Sequence, residues 1–448
     1  MPLFEYPELI VTQIALIFLS IIWLLRRNDE LPLLISTFLF YVASYRYWAV
    51  TSDVNDWVNL GSFGFTSITD EVALMALSYI VLGEICLLAT YMLRQGSVLP
   101  LTTLEINSTY YDNSGDRLLF RWLRPKVLLL GLFCIPLVLL TRSNVIDQVS
   151  AGRSLAFQIS GYLRLFPFVL VGVATLVVCL WKFGGFSSSI NKVIAVAILV
   201  SLVNLTFSSS GRFQFLGWLS ASGIILASSY KPNTRLFILT TVAIISIGVF
   251  AVAGALRNPH VNPDILNQAA WERAFSAEDA NMLDGFVLIQ EVYPQRLDFR
   301  LGMEHLEILL RPIPRSLWPE KPVGGYMNQL GLITADTGFT LGISPTLFGS
   351  FYAEAGLMGI AVFSSVYGAI LAAIVRYTAR LQLFAGVLIR AILCASLIPL
   401  LRGGDLPGIY AWIGMAFWPC FLLLWLKRSD LKLKLSKLSQ DYYSQPEN

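Results

Sequence analysis

Three short hydrophilic breaks carry arginine between long apolar runs: Ser208-Ser209-Ser210-Gly211-Arg212, Arg311-Pro312-Ile313-Pro314-Arg315-Ser316-Leu317-Trp318-Pro319-Glu320-Lys321-Pro322, and Arg402-Gly403-Gly404-Asp405. A guanidinium fork beside small residues and the free amides of a helix N-terminus suits a phosphate oxyanion, which is the chemistry Arg212 offers. In the third break the glycines let backbone approach a ligand closely, and Arg402 can face the same anion. In the second, alternating prolines hold the chain extended, so Arg311, Arg315 and Lys321 project at set positions and Trp318 offers a flat face to a sugar ring. His305, six residues before Arg311, can serve as a general base, with Glu304, Glu307, Glu320, Asp336 and Glu354 as carboxylate competitors. Each residue also has a plainer reading. Arginines snorkel to lipid headgroups, Trp318 suits a membrane interface, Arg402 and Asp405 can form a local pair across a turn, and a histidine can simply face solvent. Arg153 in another break reads as water-facing, and Arg46, within Tyr45-Arg46-Tyr47-Trp48, as an interfacial anchor.

The surroundings of these residues are those of a membrane protein. Of 448 residues, 56% are hydrophobic and 14% charged, against about 25% charged in soluble domains. Mean hydropathy is +0.65. A net charge of +3 gives no basis for nucleic-acid binding. The five cysteines stand singly within apolar runs and read as buried hydrophobes, and two histidines argue against a multi-histidine metal centre. No phosphate-binding glycine loop, dinucleotide fingerprint or charge relay buried in mid-span is expected.

A span needs roughly 20 apolar residues, and by that rule about eleven are expected, near 8–25, 31–50, 72–93, 126–141, 162–181, 192–208, 213–230, 236–256, 346–375, 383–401 and 407–426. The stretch 346–375 is long enough to tilt or to begin re-entrantly. Basic residues sort the connections. Arg26-Arg27, Arg94 with Arg117 to Lys126, Lys182 with Lys192, Lys231 with Arg235, Arg376 with Arg380, and the tail from Lys427 to Lys437 fall on one side, which is then cytoplasmic. The N-terminus is expected outside, as an exported anchor and not a cleaved signal peptide, and the C-terminus inside. All three arginine breaks are then expected outside, against the topological bias of short loops, which favours an anionic ligand there. The chain divides into an N-terminal membrane bundle (1–256, about eight spans), a large outer loop (257–345), and a C-terminal bundle with a basic tail (346–448, about three spans). The loop is too long and too apolar for a bare connector. Within it, Gly302 to Arg311 predicts a short amphipathic helix, with Leu306, Leu309 and Leu310 in one stripe and Glu304, Glu307 and Arg311 in the other; Pro312 and Pro314 end it.

The chain resembles the O-antigen polymerase family (Wzy-type, oligosaccharide repeat unit polymerases). The resemblance covers most of the chain as topology. It is sharper at Ser209-Ser210-Gly211-Arg212 before an apolar helix, at the Arg311–Pro322 stretch, and at Ser344-Pro345-Thr346 with Gly349, Tyr352, Glu354, Gly356 and Gly359 at the start of the next span. Phe213 stands where relatives often carry glycine.

The resemblance implies an all-α polytopic protein of GT-C type in the bacterial inner membrane. Its N-terminus and large loop would be periplasmic and its C-terminus cytoplasmic. The implied activity is a metal-independent and cofactor-free glycosyltransferase joining undecaprenyl-pyrophosphate-linked repeat units into O-antigen, capsule or exopolysaccharide. The lipid-linked glycans, membrane lipids, a flippase and a chain-length regulator are the implied partners. Pyrophosphate binding falls on Arg212, with Arg311, Arg315 and Arg402 as further candidates. Trp318 and Lys321 remain sugar- or phosphate-binding candidates from the residues themselves. Ligases of the wider family use a loop histidine, which places His305 in a comparable region. A ligase-like transferase, or a transporter of an anionic lipid-linked substrate, are the alternatives.

Overall fold

A computed structural model describes residues 5–95, 119–136, 166–206, 212–255, 272, 275–276, 280–311, 313, 317–318, 326, 330, 343–379, 381 and 383–428. Among them all regular structure is helical, apart from isolated bridge residues such as the parallel pair Thr346 and Gly403. Seven helices are long and apolar enough to cross a membrane. They are α1 (Tyr6–Arg27); the helix from Leu31 to Thr51, built of α2 (Leu31–Leu39), a π-helical turn (Phe40–Tyr45) and α3 (Arg46–Thr51); α4 (Asp70–Gln95); and α9 (Pro232–Ala255). The others are α12 (Thr346–Thr378), α13 (Leu383–Arg402) and α14 (Leu406–Leu426). Between these stand α5 over 119–136 and the shorter apolar helices α6 (Val169–Lys182), α7 (Ser189–Thr206) and α8 (Arg212–Ala227). Two helices of the long loop, α10 (Met282–Val292) and α11 (Met303–Leu310), complete the set. A helix is therefore found at every position where apolar periodicity predicts a span.

The bundle is apolar outside as well as inside. Val11, Phe18 and Ile22 on α1, Phe237 and Ile244 on α9, and Met358, Val362 and Ile370 on α12 are exposed. That surface suits lipid, where burying such groups against one another gains nothing over hydrocarbon contact, and close van der Waals packing decides which helices meet. Glycine supplies the close approaches. A Cβ at Gly368 would stand 2.3 Å from the Leu87 carbonyl of α4, one at Gly217 2.3 Å from Ala395 of α13, and one at Gly172 2.1 Å from Ala416 of α14. The corresponding pairs α12–α4, α8–α13 and α6–α14 form the frame. α13 is buried over most of its length and is the central post. α10 joins the same core: Leu283, Phe286 and Leu288 pack in one cluster with Ile80 of α4 and Phe348 of α12.

The two ends of the bundle carry different charge clusters. At the end where α1 begins, called upper here, Arg46 is 2% exposed and forked onto Asp284 of α10, with its Nε donating to Oδ2 (3.0 Å) and its Nη2 to Oδ1 (2.9 Å). Arg46 is thus a structural ion-pair partner and not an interfacial anchor. Its partner lies 238 positions away in the chain, beyond the reach of local pattern. At the lower end, Asn28 caps α1 in the left-handed conformation, and the turn folds Asp29 and Glu30 inward. Arg390 of α13 donates to Asp29 (3.2 Å) and Glu30 (2.9 Å), and Arg235 of α9 donates to Glu30 (2.7 Å). The Tyr91 hydroxyl of α4 donates to Asp29 at 2.6 Å. Two cations and two carboxylates offset one another inside a buried site, tying the α1–α2 turn to three other helices.

A further buried polar chain lies between the ends. Gln13 of α1 donates to Glu84 of α4 (2.8 Å), and Ser44 of the π-helical turn donates to Gln13. Glu84 is fully buried, a single mid-span carboxylate held by neutral partners and not a relay of charges. One carboxylate within 26 residues of apolar helix disappears in an averaged hydropathy.

Removing one partner of a buried ion cluster strands the others. Arg390→Met is expected to destabilise the protein by about 3–5 kcal/mol, read as a lower unfolding midpoint in lipid nanodiscs. An unchanged midpoint would show that the cluster contributes no net stability.

Candidate functional site

The upper end is built around a break in α12. The helix starts at Thr346 and departs from helical geometry at Ala355 and Gly356. Gly356 has φ 61° and ψ −142°, a backbone region that side chains with a Cβ avoid. The nine residues 346–354 thus form a short segment before the remaining helix. The break frees carbonyls that the loop before α11 satisfies: the Arg300 amide donates to Ala353 (3.0 Å) and the Leu301 amide to Glu354 (2.9 Å).

The Glu354 side chain completes that joint. α11 begins at Gly302, which has φ 90° and no side chain to cap the helix. The fully buried Glu354 carboxylate supplies the cap from another helix, accepting from the Gly302 amide and from the Glu304 amide (3.1 Å). A carboxylate is also well placed against the positive end of the helix dipole. The same oxygen faces His305 Nδ1 at 3.0 Å. The imidazole stacks flat on Phe363, ring centroids 4.5 Å apart, and its Nε2 meets the Tyr367 hydroxyl at 3.3 Å. Tyr410 of α14 donates to Tyr367 at 3.0 Å. His305 keeps a quarter of its side chain open. Glu354 is therefore the hydrogen-bond partner of His305, a relation that sequence reading does not anticipate. The available signal was a lone carboxylate two residues before a glycine inside an apolar run.

α11 is oriented against ordinary expectation for an amphipathic helix on a protein. Glu304 and Glu307 are buried, while Leu306 and Leu309 are exposed. The polar stripe turns inward because cations and amides wait there: Arg300 donates to Glu307 (2.5 Å), and Glu304 accepts from the Leu406 amide that opens α14 (3.2 Å). Burial pushes the Glu304 carboxyl up to about 8; Arg300 and the Leu406 amide oppose the shift, and Asp405 and Glu354 add to it. Near neutral pH this carboxyl is held mostly protonated.

The arginines gather at the same end. The Arg402 guanidinium carbon stands 4.2 Å from the centre of the Phe213 ring, which brings the start of α8 and the 402–405 break together. Gly403 and Gly404 turn the chain with φ 72° and 120°; a Cβ at Gly403 would fall 1.9 Å from the Thr346 carbonyl, so the third break is seated against the start of α12. Arg311, at the C-terminus of α11, reaches Asp405 across 3.8 Å. Asp405 thus faces Arg311 from another element. Trp318 is exposed. The backbone of Arg212 opens α8. The Arg212 side chain, and Arg315 and Lys321 entirely, lie outside the described residues, as do Arg153, Glu320 and Asp336. Chemically, the arrangement offers two guanidinium groups and the N-terminal amides of α8 for an oxyanion, beside a histidine already held by a carboxylate.

The pH response of Glu304 is measurable. A neutral-stabilised carboxyl contributes fully below the unfolded-chain value of about 4.3, and its contribution is lost as pH rises through about 8. The wild-type unfolding midpoint is expected to fall over that window. Glu304→Gln keeps an oxygen for the Leu406 amide and is expected to show a smaller fall; equal slopes would remove Glu304 as the cause.

No family model, curated protein or solved structure matches the chain.

Proposed function

We propose that this chain is a metal-independent transferase acting on polyprenyl-pyrophosphate-linked oligosaccharides at the outer face of a bacterial inner membrane, joining repeat units into a polysaccharide. In this reading the bundle has about eleven spans by the length rule and a GT-C arrangement, with the upper end periplasmic and the charged lower end cytoplasmic. The observation that carries it is the convergence of Arg311, Arg402 and the start of α8 at one end, next to the Glu354–His305 pair. When the sugar C1–O bond breaks, negative charge grows on the pyrophosphate, and preorganised guanidinium groups stabilise it without a metal. His305 is the candidate base for the acceptor hydroxyl. Arg212, Arg315, Lys321 and Trp318 complete the substrate-binding proposal.

The transporter reading has one observation of its own: the buried carboxylate Glu84 in mid-span, a position such residues occupy in ion pathways. The break in α12 does not favour it, because the 22 residues after Gly356 alone span roughly 33 Å. That length puts the break near the upper end and not at the midplane, where transporters place their interrupted helices.

Purified protein in proteoliposomes, given a lipid-pyrophosphate-linked repeat unit, is expected to yield a ladder of lengthened lipid-linked glycans. Arg212→Ala, Arg315→Ala and Arg402→Ala should each cut the rate by roughly a hundredfold or more, with insertion intact. Transfer to a different lipid acceptor would instead mark a ligase. Movement of the intact substrate across the bilayer without bond formation would mark a transporter. Normal ladders from all three variants would overturn the assignment of the site.

A further inference from the structure

We propose that Glu354 is the positioning residue that fixes His305 as its Nδ1–H tautomer, and that Tyr367 holds Nε2 at rest in the place the acceptor hydroxyl takes during transfer. The proposal rests on the glycosyl-transfer reading above for its substrate, but its geometry stands on its own.

Five contacts determine the proton positions. The Glu354 carboxylate already accepts from two backbone amides that can only donate, those of Gly302 and Glu304. An ionised carboxylate has no proton to give, so the third group against it, His305 Nδ1, must carry the hydrogen. In the neutral ring Nε2 is then the acceptor. The Tyr410 hydroxyl donates to Tyr367, which leaves the Tyr367 proton to point at Nε2. A ring flip would put carbons in place of both nitrogens, and turning through it would lift the ring from its stack on Phe363, where the planes lie within 6°. The result is a base nitrogen of known identity, held by a neutral, displaceable phenol.

The step balances without any other reactant. The acceptor hydroxyl takes the Tyr367 position and gives its proton to His305 Nε2. Its oxygen forms the new bond to the sugar C1. The C1–O bond to pyrophosphate breaks, and the pyrophosphate leaves with the electron pair. The imidazolium then faces the Glu354 carboxylate, and its proton is later lost to water. The Glu304 carboxyl, Asp405, Arg300 and Arg311 stand nearby and are not assigned a step.

The chain has only two histidines, so His260→Gln leaves His305 as the sole imidazole for ¹⁵N-histidine spectroscopy. The expected spectrum of the neutral ring has a protonated Nδ1 and an unprotonated Nε2. In Glu354→Gln one oxygen is replaced by an amide that can only donate, so the population should shift toward Nε2–H. In the polymerisation assay the same variant should lose about a hundredfold or more in kcat with acceptor KM little changed. Tyr367→Phe, which removes one oxygen and leaves the ring packing, should lower acceptor KM severalfold and move the Nε2 resonance. An Nε2–H tautomer in the otherwise wild-type protein overturns the proposal. So does Glu354→Gln with wild-type tautomer and kcat, or Tyr367→Phe with kcat reduced as severely as in Glu354→Gln. If the expected tautomers are found but no wild-type ladder forms, the glycosyl-transfer reading fails while the positioning by Glu354 stands.

Discussion

A helix that stops inside or at the edge of a membrane exposes carbonyls that lipid cannot hydrate, and something in the protein must bind them. In α12 that obligation is met by the 300–302 loop, and most features of the upper end follow from it. The amides of Arg300 and Leu301 take the freed carbonyls of Ala353 and Glu354. The Glu354 side chain then returns the favour by capping α11. One residue thereby holds the break, the start of the next functional helix and the histidine on it. The orientation of α11 is a consequence: once its N-terminus is pinned to Glu354, Glu304 and Glu307 turn toward Arg300 and the start of α14, and Leu306 and Leu309 turn out.

Charge in this bundle is handled by pairing across long sequence distances. Arg46 meets Asp284, Arg390 and Arg235 meet Asp29 and Glu30, and Arg300 meets Glu307. Buried pairs of this sort give little net stability relative to apolar packing but make mispairing costly. Their positions match that role. The lower cluster ties the α1–α2 turn to α4, α9 and α13, and the Arg46–Asp284 fork ties α3 to α10. The frame on which the upper site sits is therefore held at both ends by specific partners, with glycine-mediated helix contacts between.

The contrast between the two ends bears on function. The lower cluster is closed: its cations and carboxylates are buried against one another and leave little surface to a ligand. At the upper end, Arg311 and Asp405 are partly open, His305 is partly open, and Trp318 is exposed. In the proposed transfer, these partly open groups would face the anionic leaving group and the hydroxyl acceptor.

By itself the sequence determined that the chain is a helical membrane protein, where its apolar helices lie, and that Arg212 and Arg402 sit in breaks on one face. Those properties are local: a run of some 20 apolar residues must be helical in lipid because its backbone groups have no other partners. The amphipathic helix within 302–311 was legible because its pattern is local too. Only the tertiary structure decided which charges meet. Glu354 partners a histidine 49 positions earlier, Arg46 an aspartate 238 positions later, and Arg390 two carboxylates some 360 positions before it. It also decided that Arg46 is a buried strut, that Glu84 is enclosed in mid-bundle, and that the polar side of α11 faces inward. Hydrophobic periodicity tells which face of a helix differs from the other, but it does not say whether the neighbour is lipid or a set of buried cations and amides.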